Sequence, residues 1–228
     1  MQPFGPIDFH THRDAEGRLR EAGAEITRIV STPPDQFDLP VPEHTFKTLE
    51  LHPWAGAEIP ENFAALAQRG DCLGLGEAGL DRRRGALPWT RQLEIFSGVV
   101  RIADRLARPL TVHCVGGFAE LLGLYKQHPW GVPTLLHYFC GKPELAEQLW
   151  RQKNWFVSLP PLSLQSHALI EWLRTHPARR NQVVLETDDP AGDIVGHYRV
   201  MAEALGVPEP ELRGLMRENF QRIYGGGR

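Results

Sequence analysis

Eight short runs of β-branched and aliphatic residues, at positions 5–10, 25–32, 45–52, 72–77, 109–113, 133–137, 155–159 and 182–188, alternate with amphipathic stretches. The stretches with helical periodicity are 61–69, 87–106, 119–127, 143–152, 166–174, 195–205 and 209–224. Strands that are apolar throughout, each followed by a helix, are buried on both faces and return to a parallel neighbour through a crossover. Eight such units predict an α/β protein built as a (β/α)8 TIM barrel. Two irregularities fall early. Between the first two runs there is room for only a short helix over 14–22, and residues 31–42 hold four prolines where a crossover helix belongs. The expectation is a compact, distorted barrel with one crossover helix missing. At 228 residues, 42% of them hydrophobic and 23% charged, the chain suits a single domain over 1–228.

The ends of these runs carry the chemistry, because barrel enzymes build their sites at the C-terminal ends of the strands. Five strands close on a group with a lone pair to donate. The first ends Ile7-Asp8-Phe9-His10-Thr11-His12, and an alternating backbone sends Asp8, His10 and His12 to one side. The fourth ends in Glu77, the fifth in His113, the sixth in His137 and the eighth in Asp188. One histidine at a strand end is ordinarily scaffold. Five apolar strands finishing this way are not, since an unpaired buried polar group costs about 1 to 3 kcal/mol. Four imidazoles and two carboxylates exceed what one tetrahedral ion needs and suit two divalent ions, identifiable only as Mg²⁺, Mn²⁺ or Zn²⁺. His10, His12 and Asp188 would hold one, His113 and His137 the other, and Glu77 would bridge. Such a pair hydrolyses esters or amides.

Charge and cysteine content narrow the setting. A net charge of −3, from 25 Lys and Arg against 28 Asp and Glu, provides no overall positive field for a polyanion, so a nucleic acid would have to be held locally. Cys72, Cys114 and Cys140 form an odd set without a C-x-x-C pair, which argues against a disulfide framework and for a cytoplasmic protein. No signal-peptide pattern opens the chain and no run of about 18 apolar residues occurs. No membrane contact is expected.

The motifs Asp8-Phe9-His10-Thr11-His12, Leu51-His52-Pro53, Gly76-Glu77-Ala78-Gly79-Leu80-Asp81, Val112-His113-Cys114, Leu136-His137-Tyr138-Phe139-Cys140-Gly141 and Leu185-Glu186-Thr187-Asp188-Asp189-Pro190 resemble, in this order, those of the TatD family of metal-dependent deoxyribonucleases. Residues 92–108 and Glu218-Asn219-Phe220 are similar as well, so the resemblance spans nearly the whole chain. It implies a (β/α)8 barrel and a two-metal phosphodiesterase acting on DNA, with the same division of ligands, and with Asp188 positioning or deprotonating the attacking water. Three departures stand out. The family's H-x-R after the fifth strand is here His113-Cys114-Val115, the aromatic expected after Asp81 is replaced by Arg82-Arg83-Arg84, and the region after the first strand is short. Two other readings compete: a small-molecule ester or amide hydrolase on the same scaffold, although no Lys ends the fourth strand as a carboxylated bridge, and an inactive binding module.

Several other residues are candidates for lesser roles. His52, Asp81, Arg82 and Arg83 lie at the same rim and could contact substrate, the arginines by forking onto phosphate oxygens. Asp8 and Glu186 are expected one layer deeper, orienting the ligands above them. His128 and His176 precede prolines at helix ends and read as structural. Trp54, Trp89 and Trp130 could either pack under loops or stack on bases.

Overall fold

The computed structural model describes residues 5–19, 25–56 and 58–225. Eight parallel strands form one sheet in chain order: β1 (Ile7–Thr11), β2 (Thr27–Thr32), β3 (Thr45–Leu51), β4 (Cys72–Asp81), β5 (Leu110–Val115), β6 (Thr134–Leu136), β7 (Trp155–Leu159) and β8 (Val183–Leu185). All residues of β1, β2, β6, β7 and β8 are buried, as strands covered on both faces must be. The helices are α1 (Phe63–Gln68), α2 (Trp89–Arg105), α3 (Phe118–Gln127), α4 (Pro143–Trp150), α5 (His167–Thr175), α6 (Ile194–Leu205) and α7 (Glu209–Tyr224). Their inner faces keep helical spacing, as in Gln92, Phe96, Val99 and Ala103 of α2 and Leu212, Met216, Phe220 and Ile223 of α7.

The first third departs from the regular pattern. Among the described residues no α-helix lies between β1 and β2. Residues 14–19 of the short helix expected over 14–22 instead form a turn in which the Asp14 carboxylate accepts from the Glu16 and Arg18 amides, and the remainder lies outside the described residues. The proline-rich crossover between β2 and β3 carries a single 3-10 turn, Pro34–Gln36, as its lack of amide donors requires. Its Phe37 is fully buried beneath Lys47.

The barrel is nearly closed. No ladder is formed between β8 and β1 among the described residues. Single hydrogen bonds close the seam: the Asp188 amide donates to the His10 carbonyl at 3.0 Å, and the Thr187 amide and hydroxyl donate to the Asp8 carboxylate at 2.9 and 2.6 Å. Tyr198 of α6 braces β1 from outside, its hydroxyl lying 3.0 Å from both the amide and the carbonyl of Ile7.

Candidate metal centre

Glu77 is aimed by an irregularity in β4. Between Leu75 and Ala78 that strand advances three residues while β5 advances two, from Leu110 to Val112, and β3 likewise advances two, from Leu49 to Leu51. This bulge re-aims the side chains that follow it. Gly76 makes it possible, with φ at +117° and its α-carbon so close to β5 that an added Cβ would lie 2.1 Å from the Thr111 carbonyl oxygen. The Glu77 amide then donates to Ser31 Oγ at 2.9 Å. β4 also runs past Glu77 to Asp81, further than the expected end, because the Gln92 side chain pairs with both the amide and the carbonyl of Asp81.

The buried Glu77 carboxylate stands at the centre of the mouth. Its Oε2 lies 3.1 Å from His10 Nε2 and 3.2 Å from His12 Nε2. Its Oε1 lies 2.9 Å from His52 Nε2, 2.7 Å from His137 Nε2 and 2.5 Å from His113 Nδ1. Asp188, in the left-handed region at φ +55°, brings Oδ1 to 3.2 Å from His12 Nε2 and 3.5 Å from His10 Nε2. The six residues expected as ligands therefore meet at one place.

The ring orientations refine the grouping expected from sequence. Donor atoms of His10, Glu77, His137 and Asp188 all lie within 4.8 Å of one another, as do those of His52, Glu77 and His113. His137 thus faces both halves of the cluster, and its Nε2 is also 3.3 Å from His113 Nδ1. His52 belongs to the cluster itself, although its sequence position suggested only a substrate contact. Closing β3 as the other ligand types close their strands was the available signal. Glu50, two residues earlier on the same face, was not singled out. It accepts from Ser31 Oγ at 2.8 Å and lies 3.7 Å from His12 Nδ1.

Buried carboxylates orient the rings. Asp81 Oδ2 lies 3.0 Å from His113 Nε2, and Glu186 Oε1 lies 3.5 Å from His137 Nδ1 while accepting from the Tyr138 amide. Asp8 acts across the seam by holding Thr187, which fixes the approach of Asp188. The arginines divide. Arg82 turns away, pairing with Glu120, donating to the Gly116 carbonyl at 2.8 Å and covering the Trp89 ring. Arg83 and Arg84 donate their amides to Asp81 Oδ1. The Arg83 guanidinium has no ion-pair partner among the described residues. His176 stacks on Trp172 beyond the end of α5, and His128 follows the end of α3, both away from the cluster.

The electrostatics follow from two carboxylates packed among imidazoles. Burial alone would raise the Glu77 carboxyl, yet the charge of His137 and hydrogen bonds from His10, His113 and His12 hold it well below the usual range. Burial opposes a charge on His12, but bonds to Asp188 and Glu77 outweigh it and lift that ring to about 10. His137 is raised well above its ordinary value against the same burial, chiefly by Glu77. Asp188 is lowered despite burial, first by His12, and Asp81 falls to about 2 through its bonds to Trp54, the Arg84 amide and His113. Burial pushes Asp8 up to about 7 against the bonds from Thr187. The raised protonation of His12 and His137 balances the charge of the two carboxylates.

Divalent ions fit the same position. Two donors about 2.1 Å from one ion, about 100° apart, sit about 3.2 Å from each other. His10 Nε2 and His12 Nε2 are 3.1 Å apart, and His113 Nδ1 and His137 Nε2 are 3.3 Å apart. Metal binding must then expel protons. Protein stripped of divalent ions with EDTA is expected to lose stability as the pH rises. The contribution of His12 is present in full below its unfolded value of 6.5 and is lost through about 10. Thermal unfolding between pH 6 and 10.5 measures this, and a flat profile would contradict the assignment.

Imidazoles and carboxylates gathered at the C-terminal mouth of a parallel β/α barrel define the class of metal-dependent barrel hydrolases. Within that class, the chain belongs to the TatD-related DNase family, whose model it matches over residues 39–225. It is 27% identical to the "3'-5' ssDNA/RNA exonuclease TatD" of Erwinia tasmaniensis, a match that covers 82% of this chain and 90% of the relative. It is 29% identical to the protein of the same name from Klebsiella pneumoniae, covering 78% of this chain and 72% of the relative. Among solved structures, a TatD homologue from Escherichia coli superposes with a TM-score of 0.78 at 20% identity, over 96% of this chain and 97% of the other. A TatD family hydrolase from Entamoeba histolytica superposes with a TM-score of 0.77 at 15% identity, over the whole of both chains. These structures share the barrel. No helix among the described residues is long and apolar enough to cross a membrane.

Proposed function

We propose that the protein is a two-metal phosphodiesterase that cleaves DNA, or a related single-stranded nucleic acid. The observation that carries this reading is the division of one carboxylate. Glu77 presents Oε2 to His10 and His12, and Oε1 to His52, His113 and His137. His10, His12 and Asp188 would hold one ion, His113 and His137 the other with His52 as a further donor, and Glu77 would bridge. Bound there, Mg²⁺, Mn²⁺ or Zn²⁺ would supply the Lewis acidity for displacement at phosphorus. Asp188 is the residue to orient the attacking water and take its proton, being the ligand carboxylate at the open edge of the cluster and the more exposed of the two.

The substrate's charge must be met locally. The family's Arg two residues after the fifth-strand histidine is Val115 here. β4 pairs Asp81 with Val115, which places Arg82 beside that position, but Arg82 is engaged by Glu120. Arg83 is then the better candidate for a phosphate contact. Cys72, Cys114 and Cys140 are all free thiols, consistent with the cytoplasm as the place of action.

The test is direct. Purified protein is incubated with end-labelled single-stranded DNA and each of the three ions, beside Glu77→Ala. Ion-dependent shortening by the wild type alone is the expected result. Turnover of small esters or amides with intact DNA would favour the amidohydrolase-type alternative, and no turnover of any substrate the inactive module.

A further inference from the structure

Only two large aromatic side chains among the described residues are exposed, and both stand beside this cluster. Trp54 is 45% exposed and Tyr138 41%, whereas Leu39, Leu162, Val195 and Val200, the other exposed large hydrophobics, are aliphatic. Trp89 is covered by Arg82, and Trp130 is buried with its indole bonded to Thr134. The indole N–H of Trp54 donates to Asp81 Oδ2 at 2.6 Å, on the carboxylate that also orients His113. Its ring centroid is 4.7 Å from that of His52 and 5.6 Å from that of His113, both nearly edge-on. The Arg84 guanidinium lies 5.1 Å from its centroid. Tyr138, immediately after His137, has its ring centroid 6.0 Å from that imidazole and its backbone in the left-handed region at φ +51°. A tyrosine is rarely kept in that conformation, and such positions cluster where a side chain is being presented.

An exposed indole anchored at one edge loses little freedom when a flat ring settles on it, which is what stacking on unpaired bases requires. We propose that Trp54, anchored by Asp81 and flanked by Arg84, stacks on the nucleobase next to the scissile phosphate, with Tyr138 serving a base on the opposite side of the cluster. Both are substrate-positioning residues. The proposal rests on the phosphodiesterase reading and specifies its substrate as a strand with unstacked bases.

The experiment compares a single-stranded oligonucleotide with one of equal length built from abasic tetrahydrofuran units, using the ion-loaded full chain. The wild type should show a KM between about fivefold and a hundredfold lower on the base-bearing strand. Trp54→Ala should lose most of that discrimination through KM rather than kcat, and Trp54→Phe should keep much of it. Tyr138→Ala leaves every bond to Asp81 in place and should lose part, which covers the case in which Trp54→Ala disturbs His113. Cleavage of both strands by the wild type with equal KM overturns the stacking proposal and leaves the phosphodiesterase reading standing. Discrimination unchanged in both alanine variants does the same, and cleavage of neither strand overturns both.

Discussion

Glu77→Gln is expected to lower kcat/KM by more than about 100-fold, the upper end for changes to groups that only orient a ligand. Glutamine keeps the shape and removes the charge that five imidazoles share. Ion content should fall with activity, since a neutral amide oxygen is a weaker ligand for a divalent cation than a carboxylate. Folding should suffer less, because His12 owes its raised protonation to Asp188 and Glu77, and His137 to Glu77 and Glu186, and both rings can shed those protons rather than remain as unpaired buried charges. Elemental analysis, steady-state kinetics and urea unfolding on the same preparation separate these effects. A variant with wild-type ion content and rate would remove Glu77 from the centre of the site.

Gly76→Ala is expected to cost about 3 kcal/mol or more, the scale of backbone strain combined with overpacking. The new methyl would meet a backbone oxygen at 2.1 Å rather than a side chain that can swing aside. Straightening β4 to relieve that contact would turn Glu77 out of the cluster. Gly70→Ala, where nothing lies within 4 Å of the added carbon, serves as the control. A shift in urea midpoint no larger than that of Gly70→Ala would refute the close approach.

Much of this was legible in the sequence, and the physical reasons differ by region. Eight strands could be placed because buried parallel strands are uniformly apolar, and each candidate ligand was visible as a polar residue closing such a run. The end of β4 was not, since Gly76-Glu77-Ala78-Gly79 breaks the alternation through a bulge that exists only against β3 and β5. The turn over 14–19 looked helical because side-chain acceptance by Asp14 leaves no periodic signature. Arg82 read as a phosphate contact, but its partner Glu120 is 38 residues away and was not foreseeable. The sharing of His137 between both halves of the cluster depends on ring orientation, which strand order does not encode.

The seam between β8 and β1 gives the cluster a second meaning. His10 and Asp188 stand 3.5 Å apart across the junction between β8 and β1, where no ladder forms among the described residues. A ligand gripping both would stitch the first strand to the end of the last, closing a ring that runs from residue 10 to residue 188 and leaves α6 and α7 outside it. Occupancy and ring closure then become one equilibrium, each drawing the other forward.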